Sequence, residues 1–214
     1  MTDTPTNSGD EGLAALPPES STIADYYDDW ADRYDLDVQS WGYAAPRTAA
    51  AQLAGLIDTS LPVADVGCGT GLTGVALRDA GFAVIDGVDI SEPSLAEAAS
   101  RLVYRDLAVA DIQAPPLPLQ TDGYAGAICI GVATYVADVA TLFDELVRIV
   151  VPGGVVIVTQ RTDLWDPRGT DAAIDRITDD GRWVATVSEP EPYLPGNAEY
   201  GTDVEVRYVV AQVS

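Results

Sequence analysis

Short apolar runs alternate with amphipathic segments along the middle of the chain. The runs are bounded by Gly, Pro or Asp, have the length of buried strands, and lie at 61–66, 84–89, 107–110, 124–131 and 155–159. Apolar residues at helical spacing follow most of these runs, at 72–80, 93–103, 139–150 and near 171–178. Because parallel strands need crossover connections of about this length, the alternation predicts a parallel sheet packed against helices.

The end of the chain has a different pattern. Two segments, 182–188 and 204–213, alternate apolar and polar residues and are joined by a link rich in Pro and Gly, which predicts a C-terminal antiparallel hairpin. With right-handed crossovers between the earlier strands, the chain predicts an α/β fold. Its sheet would be doubly wound and Rossmann-like, mostly parallel, and seven-stranded with the hairpin included.

The N-terminal part predicts two further regions. Residues 1–21, rich in Pro, Gly and small polar residues, predict a disordered tail. The rest, 22–214, predicts a single domain, because the chain is too short for separate nucleotide and substrate domains. Within that domain, 22–58 predicts a helical lid with aromatic residues on one side, and 59–214 predicts the Rossmann-like core.

The clearest candidate site follows the first predicted strand. Gly67, Gly69 and Gly71 form a tight loop before a helix N-terminus, where the backbone can approach a ligand closely. The second strand ends in Asp89, which can accept hydrogen bonds from the hydroxyls of a ribose. Together they predict a cofactor that contains a nucleoside. Two alternatives stay open on this evidence: an unliganded tight turn, and the NAD-type fingerprint that begins at Gly69.

The amino-acid composition excludes several binding partners and several classes of enzyme chemistry. The chain has 34 acidic residues against 11 arginines, no lysine and no histidine, and a formal net charge of −23. So negative a surface excludes nucleic acid and anionic membranes as expected partners. The excess of Asp over Glu is typical of proteins from salt-adapted organisms, and an otherwise acidic proteome is the alternative. The absence of lysine and histidine excludes Schiff-base enzymes, Ser-His-Asp triads and histidine-ligated zinc.

Cysteine usage bears on location and metal binding. Cys68 and Cys129 are the two cysteines, and both fall at strand ends where a small buried residue is expected. Unpaired thiols suit a reducing compartment, so a cytoplasmic protein without a metal site is predicted. A polar, acidic N-terminus and the lack of a long apolar run predict neither a signal peptide nor a membrane span.

Four motifs in this order resemble those of class I S-adenosylmethionine (SAM) dependent methyltransferases. They are Asp65-Val66-Gly67-Cys68-Gly69-Thr70-Gly71, Asp89-Ile90-Ser91, Ala110-Asp111-Ile112 and Cys129-Ile130-Gly131. Pro152-Gly153-Gly154 resembles the turn that follows them in the family. Segments around Tyr34, Tyr43 and Tyr135 are similar to the methyltransferase-like proteins named after the Williams-Beuren syndrome chromosome region. The family often has an acid where this chain has Tyr124-Ala125, so the role of that acid is not carried over.

The resemblance implies SAM as methyl donor and S-adenosylhomocysteine (SAH) as product. It implies that Asp65 lies near the methionine ammonium, directly or through water. It also implies that Asp89 binds the ribose, and that Asp111 binds the adenine amino group between Ile90 and Ile112. The implied cofactor-binding residues are Asp65, Gly67, Cys68, Gly69, Gly71, Asp89, Ile90, Asp111, Ile112, Ile130 and Gly131. Arg47 is a further candidate, as partner of the methionine carboxylate.

The resemblance gives less detail about the site that binds the methyl acceptor. Residues expected to form a lid or an acceptor pocket are Tyr26, Tyr27, Trp30, Tyr34, Tyr43 and Tyr135, and Tyr193 is a further candidate for the pocket wall. Tyr34 and Tyr135 are candidates for a catalytic role, and the expected reaction is methyl transfer to O or N of a small molecule. A non-catalytic SAM- or SAH-binding protein is the first alternative, and an NAD-binding oxidoreductase is the second.

Overall fold

The predicted strands form one sheet in a computed structural model that describes residues 19–198 and 203–214. The strands are β1 Val63–Val66, β2 Ile85–Asp89, β3 Asp106–Val109, β4 Tyr124–Cys129, β5 Val150–Arg161, β6 Trp183–Val187, β7 Glu191–Pro192 and β8 Glu205–Val213. Their order is β3-β2-β1-β4-β5-β8-β6, and the two-residue β7 pairs with β8. The first five strands are parallel, whereas β8 runs antiparallel to β5 and β6. This confirms the predicted α/β fold with its C-terminal hairpin.

Six α-helices accompany the sheet in the described part of the chain. They are α1 Ser20–Ser40, α2 Ala45–Ala54, α3 Leu72–Asp79, α4 Glu92–Ser100, α5 Val139–Ile149 and α6 Thr170–Asp179. Local sequence explains several of their ends. Pro46 lies in the first turn of α2, and the Ser91 hydroxyl accepts from the Ser94 N–H at 3.1 Å to cap α4. Gly81, at φ +104°, closes α3 in the left-handed conformation expected after a helix end.

The N-terminal boundary differs slightly from the prediction. Helix α1 begins at Ser20, inside the predicted tail 1–21, and the remainder of that tail falls in residues 1–18, outside the described residues. Trp30 and Val38 are the most buried side chains of α1, at 2% and 3% exposure. The helix packs against α4, and its Asp28 and Asp35 accept hydrogen bonds from the segments after β2 and β1, so it lies across that edge of the sheet.

Apolar side chains form a cluster on each face of the sheet. One cluster contains Leu142, Phe143 and Leu146 of α5, and the other contains Leu53 of α2 and Leu77 of α3. Strand β4 lies between the two clusters and all six of its residues are buried. The described residues include no helix that is long and apolar enough to cross a membrane.

The topology fixes where a ligand can bind. The strand order turns back between β1 and β4, which are neighbours although two strands separate them along the chain. Helical connections from adjacent strands diverge to opposite faces at such a point and leave a crevice beyond the carboxyl ends. Gly67 follows β1 at this crevice, and Gly131 lies two residues beyond the end of β4.

Candidate functional site

A cavity lies in this crevice, between the carboxyl ends of β1 to β4 and helix α1. The cavity and its open mouth towards solvent together comprise about 900 Å³ of empty space. Nine of the predicted cofactor residues line it: Gly67, Cys68, Gly69, Asp89, Ile90, Asp111, Ile112, Ile130 and Gly131. Four of the predicted lid or acceptor residues line it as well: Tyr27, Tyr34, Tyr43 and Tyr135. The structure therefore brings together most of the residues that the motifs indicated.

The three loop glycines differ in what surrounds them. All have positive φ, which favours glycine. A Cβ on Gly67 would lie 2.6 Å from Val132 Cγ2, and one on Gly71 would lie 2.9 Å from Arg101 Cδ, so these two positions are small for packing. A Cβ on Gly69 would have no heavy atom within 4 Å. Gly69 is thus the loop glycine with open space beside it, where a ligand can lie on the backbone.

Asp89 joins the glycine loop to the end of β2. Its Oδ2 accepts the Gly69 N–H at 2.8 Å, and its Oδ1 accepts the Ser91 N–H at 3.0 Å. Burial raises the pKa of this carboxyl, while the backbone donors act in the opposite direction. Each carboxylate oxygen has a second lone pair, so Asp89 can accept ribose hydroxyls while it holds the loop.

The next strand end has a similar acid. Asp111 Oδ1 accepts the Gln113 N–H at 2.8 Å, and Ile112 beside it is 9% exposed. Gln113 connects this turn to other elements, because its Nε2 donates to Ser20 Oγ at 3.1 Å and its Oε1 accepts the Ala137 N–H at 2.8 Å. Asp111 and Ile112 therefore lie on the cavity wall in a position suited to a purine edge, with Ile90 nearby on the same wall.

Asp65 lies beneath the loop, off the cavity wall. It is 1% exposed, and its Oδ2 accepts from the Tyr104 hydroxyl at 2.7 Å, while the same hydroxyl accepts the Gly74 N–H at 3.1 Å. Its Oδ1 has no hydrogen-bond partner in the described part of the chain. Burial raises the pKa of Asp65 to about 7. This position does not favour a direct contact with a methionine ammonium, and the contact through water that the resemblance also allows stays a prediction.

Three other expected residues also lie away from the cavity wall. Trp30 is behind the tyrosines, where its Nε1 donates to Asp37 Oδ2 at 2.7 Å and its ring packs on Tyr34 with centroids 4.8 Å apart. Tyr26 packs on the Trp30 ring at 5.7 Å. Arg47 is exposed on α2. Trp30 and Tyr26 therefore pack against the tyrosines of the cavity wall on the side away from the cavity. Arg47 does not line the cavity.

Four tyrosines line the far end of the cavity, and Tyr193 packs against Tyr43 just outside its wall. We call the five together the tyrosine chamber: Tyr27, Tyr34, Tyr43, Tyr135 and Tyr193. The Tyr27 ring packs on Tyr135, and the Tyr43 ring on Tyr193, with ring centroids 5.9 and 5.6 Å apart. Burial raises the pKa of all five phenols. Tyr34 and Tyr135 are therefore neutral hydrogen-bonding groups at neutral pH and are poorly suited to act as general bases.

Polar contacts that the sequence analysis missed hold α1 over the cavity, and we call them the α1 tethers. Asp28 accepts from the Ser91 hydroxyl, and Asp35 accepts from the Thr70 hydroxyl at 2.6 Å. Arg101 pairs with Asp35 and also donates to the Thr70 carbonyl. The two acids are seven residues apart, hence on one helix face. That spacing was the available signal, but acids on a helix usually mark only a solvated face.

Comparisons with known proteins agree with this geometry. Residues 64–158 match the family model described as a methyltransferase domain. The chain is 31% identical over 179 residues to human methyltransferase-like protein 27, which covers 81% of this chain and 73% of that protein.

Solved structures share the fold. Magnesium protoporphyrin IX methyltransferase from Synechocystis PCC 6803 with bound SAH has a TM-score of 0.66 at 18% identity, over 92% of this chain and all of that one. A putative methyltransferase in complex with the Haloferax volcanii Trm112 methyltransferase activator has a TM-score of 0.66 at 18% identity, over 89% of this chain and 96% of that one.

Proposed function

This chain belongs to the class I SAM-dependent methyltransferases, and from that premise we propose that it transfers a methyl group to oxygen or nitrogen of a small-molecule acceptor. The protein is an enzyme and its cofactor is SAM, so the nucleoside predicted from the glycine loop is that of SAM and not of NAD. The acceptor class and the role of each residue are the proposal.

The observation that carries it is the division of one cavity into two chemically different ends. The loop at Gly69, with Asp89 and Asp111, presents backbone and carboxylate groups at the ends of β1, β2 and β3. The tyrosine chamber faces the end of β4. A donor at the first end and an acceptor at the second would meet near Gly131, beneath helix α1.

The residues fit the donor. Open space beside Gly69 leaves room for the methionine portion, Asp89 accepts the ribose hydroxyls, and Asp111 accepts from the adenine amino group between Ile90 and Ile112. When bound, SAM supplies a methyl group already activated by its sulfonium. The protein then has to align the acceptor and keep water out, and helix α1 and the tyrosine chamber serve both purposes.

The enclosed position of the acceptor end supports a small molecule over a macromolecule. Helix α1 lies over the cavity and is held by the α1 tethers at both Asp28 and Asp35. A nucleic acid would in addition meet a net charge of −23. A metabolite can enter such a site when α1 moves, whereas a residue in a large folded polymer cannot readily reach Gly131.

Transfer from methyl-labelled SAM to a cell extract tests the proposal. The extract is separated by ultrafiltration into small-molecule and macromolecular fractions, and each fraction is incubated with the protein. Label is expected in a product of the small-molecule fraction, and the Asp89→Ala variant should give much less of it. Label found only in the macromolecular fraction, or saturable SAM binding without product in either fraction, would contradict the proposal.

A further inference from the structure

The tyrosine chamber brings its hydroxyl groups to the place where the reaction is proposed to occur. An ideal Cβ on Gly131 would lie 2.5 Å from Tyr43 Oη and 3.3 Å from Tyr193 Oη. Gly131 itself is held by a 2.8 Å hydrogen bond from its N–H to Thr159 Oγ1. Two phenol groups thus converge on the backbone just beyond β4, and Tyr135 lies on the same cavity wall.

The aromatic rings and hydroxyl groups of the chamber suit a flat ring. Its rings meet mostly edge to face, with centroids 5.6 to 6.1 Å apart in the Tyr43–Tyr193 and Tyr27–Tyr34 pairs. An aromatic guest can continue this arrangement, because edge-to-face packing needs only another ring at a similar distance. Phenol oxygens can accept a hydrogen bond from a guest N–H or donate one to a ring nitrogen.

The charges near the chamber favour an uncharged guest. Arg161 is the cation whose charge acts on Tyr135 and Tyr193; it is 1% exposed and pairs with Asp163 at 2.6 Å. Asp163 balances this charge. Asp35, whose charge acts on Tyr34, is likewise paired with Arg101. A protonated amine would therefore lose its hydration in the chamber without an unpaired carboxylate, among the described residues at this end, to compensate it. The described carboxylates that line the cavity, Asp89 and Asp111, lie at the cofactor end.

The tyrosines also indicate what the chamber does to a phenol. Burial raises the pKa of each one, and the Arg161 charge does not reverse this for Tyr135 or Tyr193. A phenol acceptor in the same surroundings would be held in its protonated, weakly nucleophilic form. A neutral aromatic amine already has a lone pair at neutral pH and needs no base to expose it.

We propose that the acceptor is a flat aromatic or heteroaromatic amine that enters the tyrosine chamber and presents an uncharged nitrogen beside Gly131. This inference rests on the proposed methyl transfer to a small molecule. The nitrogen lone pair forms the new N–C bond while the C–S bond breaks and its electron pair stays on sulfur. The product nitrogen is then cationic and, where it still carries hydrogen, releases a proton to water.

Matched ring-substituted anilines and phenols test the acceptor class. With labelled SAM at saturation, the anilines are expected to give N-methyl product at least about a hundredfold faster than the phenols give O-methyl product. The acid limb of the rate profile should move with the conjugate-acid pKa of each aniline, because protonation of the acceptor removes its lone pair.

Other outcomes separate this inference from the proposed function. Faster transfer to phenols, or an acid limb that stays at one pH for every aniline, would overturn the aromatic-amine assignment, since the second result requires a base on the enzyme. If anilines and phenols give no product while another metabolite is methylated, the amine class is wrong and small-molecule transfer stands. If no small molecule of any kind accepts label, the proposed function itself fails.

Tyr43→Phe tests the chamber directly, since it removes one hydroxyl and keeps the ring. The expected result is about a tenfold higher KM for the aniline, the cost of one hydrogen bond, with SAM affinity unchanged. Tyr124→Phe is the matched control, because the Tyr124 hydroxyl bonds Asp86 Oδ2 at 2.8 Å outside the cavity. Equal KM effects in the two variants would overturn the assignment of the chamber as the acceptor site.

Discussion

The two ends of the cavity lie on one edge of one sheet, yet they recognise their ligands by opposite means. At the cofactor end, the loop at Gly69 and the acids Asp89 and Asp111 offer backbone and carboxylate groups. At the acceptor end, the tyrosine chamber offers aromatic rings and neutral hydroxyls. The first end is local, since each group lies at the end of its own strand or within three residues beyond it. The second is assembled from α1, the turn before α2, the segment after β4 and the segment after β7.

Helix α1 belongs to both ends. Its acids Asp28 and Asp35 hold it to Ser91 and Thr70 at the cofactor end, and its Tyr27 and Tyr34 form part of the tyrosine chamber. The acceptor end is therefore complete only while α1 is seated on the cofactor end. Helix α1 therefore couples the cofactor end and the acceptor end. The effect of a substitution at either end can be compared with the effect of a substitution that loosens α1.

Gly131→Ala should have the largest effect, because Gly131 lies where the two ends meet. Its φ is +78° and an added Cβ would lie 2.5 Å from Tyr43 Oη, so methyl transfer should fall by at least about a hundredfold, with SAM affinity changed much less. Gly153→Ala is the matched control, since Gly153 has φ +85° and no heavy atom within 4 Å of an added Cβ. It should cost about 1–2 kcal/mol of stability and leave transfer intact. Equal losses of transfer would mean that backbone strain alone explains the result.

Asp89→Ala should come second and should act on the cofactor end alone. Loss of charged hydrogen bonds to the ribose and to the loop predicts SAM binding weaker by about 1.5–3 kcal/mol, measured by calorimetry. Acceptor KM should stay within about threefold of the parent value, because the hydrogen bonds of Asp89 go to Gly69 and Ser91 and not to the chamber tyrosines. Asp138→Ala removes an acid with similar contacts, to the Thr141 N–H and hydroxyl, at the start of α5. It should cost about 1 kcal/mol of stability without loss of SAM affinity; unchanged SAM binding by folded Asp89→Ala would remove Asp89 from the site.

Arg101→Gln should have a smaller effect that reaches both ends. Arg101 pairs with Asp35 and covers Gly71, so its loss should loosen α1 and weaken SAM binding and acceptor binding together, each by about three- to tenfold. Because Arg101 and Asp35 are partly exposed, high salt should reduce the difference between parent and variant. Arg78→Gln, which breaks the exposed pair with Asp79, should change neither affinity. An effect of Arg101→Gln on SAM alone would contradict the shared role of α1.

The contrast between the local cofactor end and the acceptor end assembled from distant segments also explains which features could be predicted from the sequence. The strands, the C-terminal hairpin, the Ser91 cap and the acids after β2 and β3 were predictable, because each depends on a few neighbouring residues. Strand ends agree with the prediction or differ from it by up to five residues, most at the start of β5, where Val150 pairs with Tyr124 ahead of the predicted start at 155. The short β7 was missed, because Pro192 gives it no strand pattern.

Residues whose position depends on distant partners were less predictable. The Tyr104 hydroxyl lies between Asp65 and Gly74 and is hydrogen-bonded to both. A side chain at position 74 would clash with this tyrosine, which is thirty residues away along the chain. Nothing local to Asp65 indicates that its carboxylate would be used in this way. The α1 tethers and the contribution of Tyr193 are likewise tertiary, since each joins segments that are far apart along the chain.

Asp65→Asn should have the smallest effect on methyl transfer and the clearest effect on pH dependence. Because Asp65 lies beneath the loop and off the cavity wall, SAM affinity at pH 8 should change by less than about fivefold. Its pKa is about 7 in the folded protein against 3.8 as the reference value, so the native state holds this proton more tightly than the unfolded state. The stability linked to Asp65 is therefore complete below about pH 4 and is lost as the pH rises through 7, by up to about 4 kcal/mol at 1.36 kcal/mol per pKa unit.

Urea unfolding of parent and variant from pH 4 to pH 8 measures the difference between their free energies of unfolding. The other titrating groups contribute equally to both proteins and cancel in this difference. The advantage of Asp65→Asn should grow from pH 4 to about pH 7 and then stay constant, because Asn has no proton to release. A constant difference across that range would show that Asp65 ionises normally. A loss of SAM affinity as large as that of Asp89→Ala would instead show that Asp65 belongs to the cofactor site. Asp65 would then be a ligand-binding residue and not only a support of the loop.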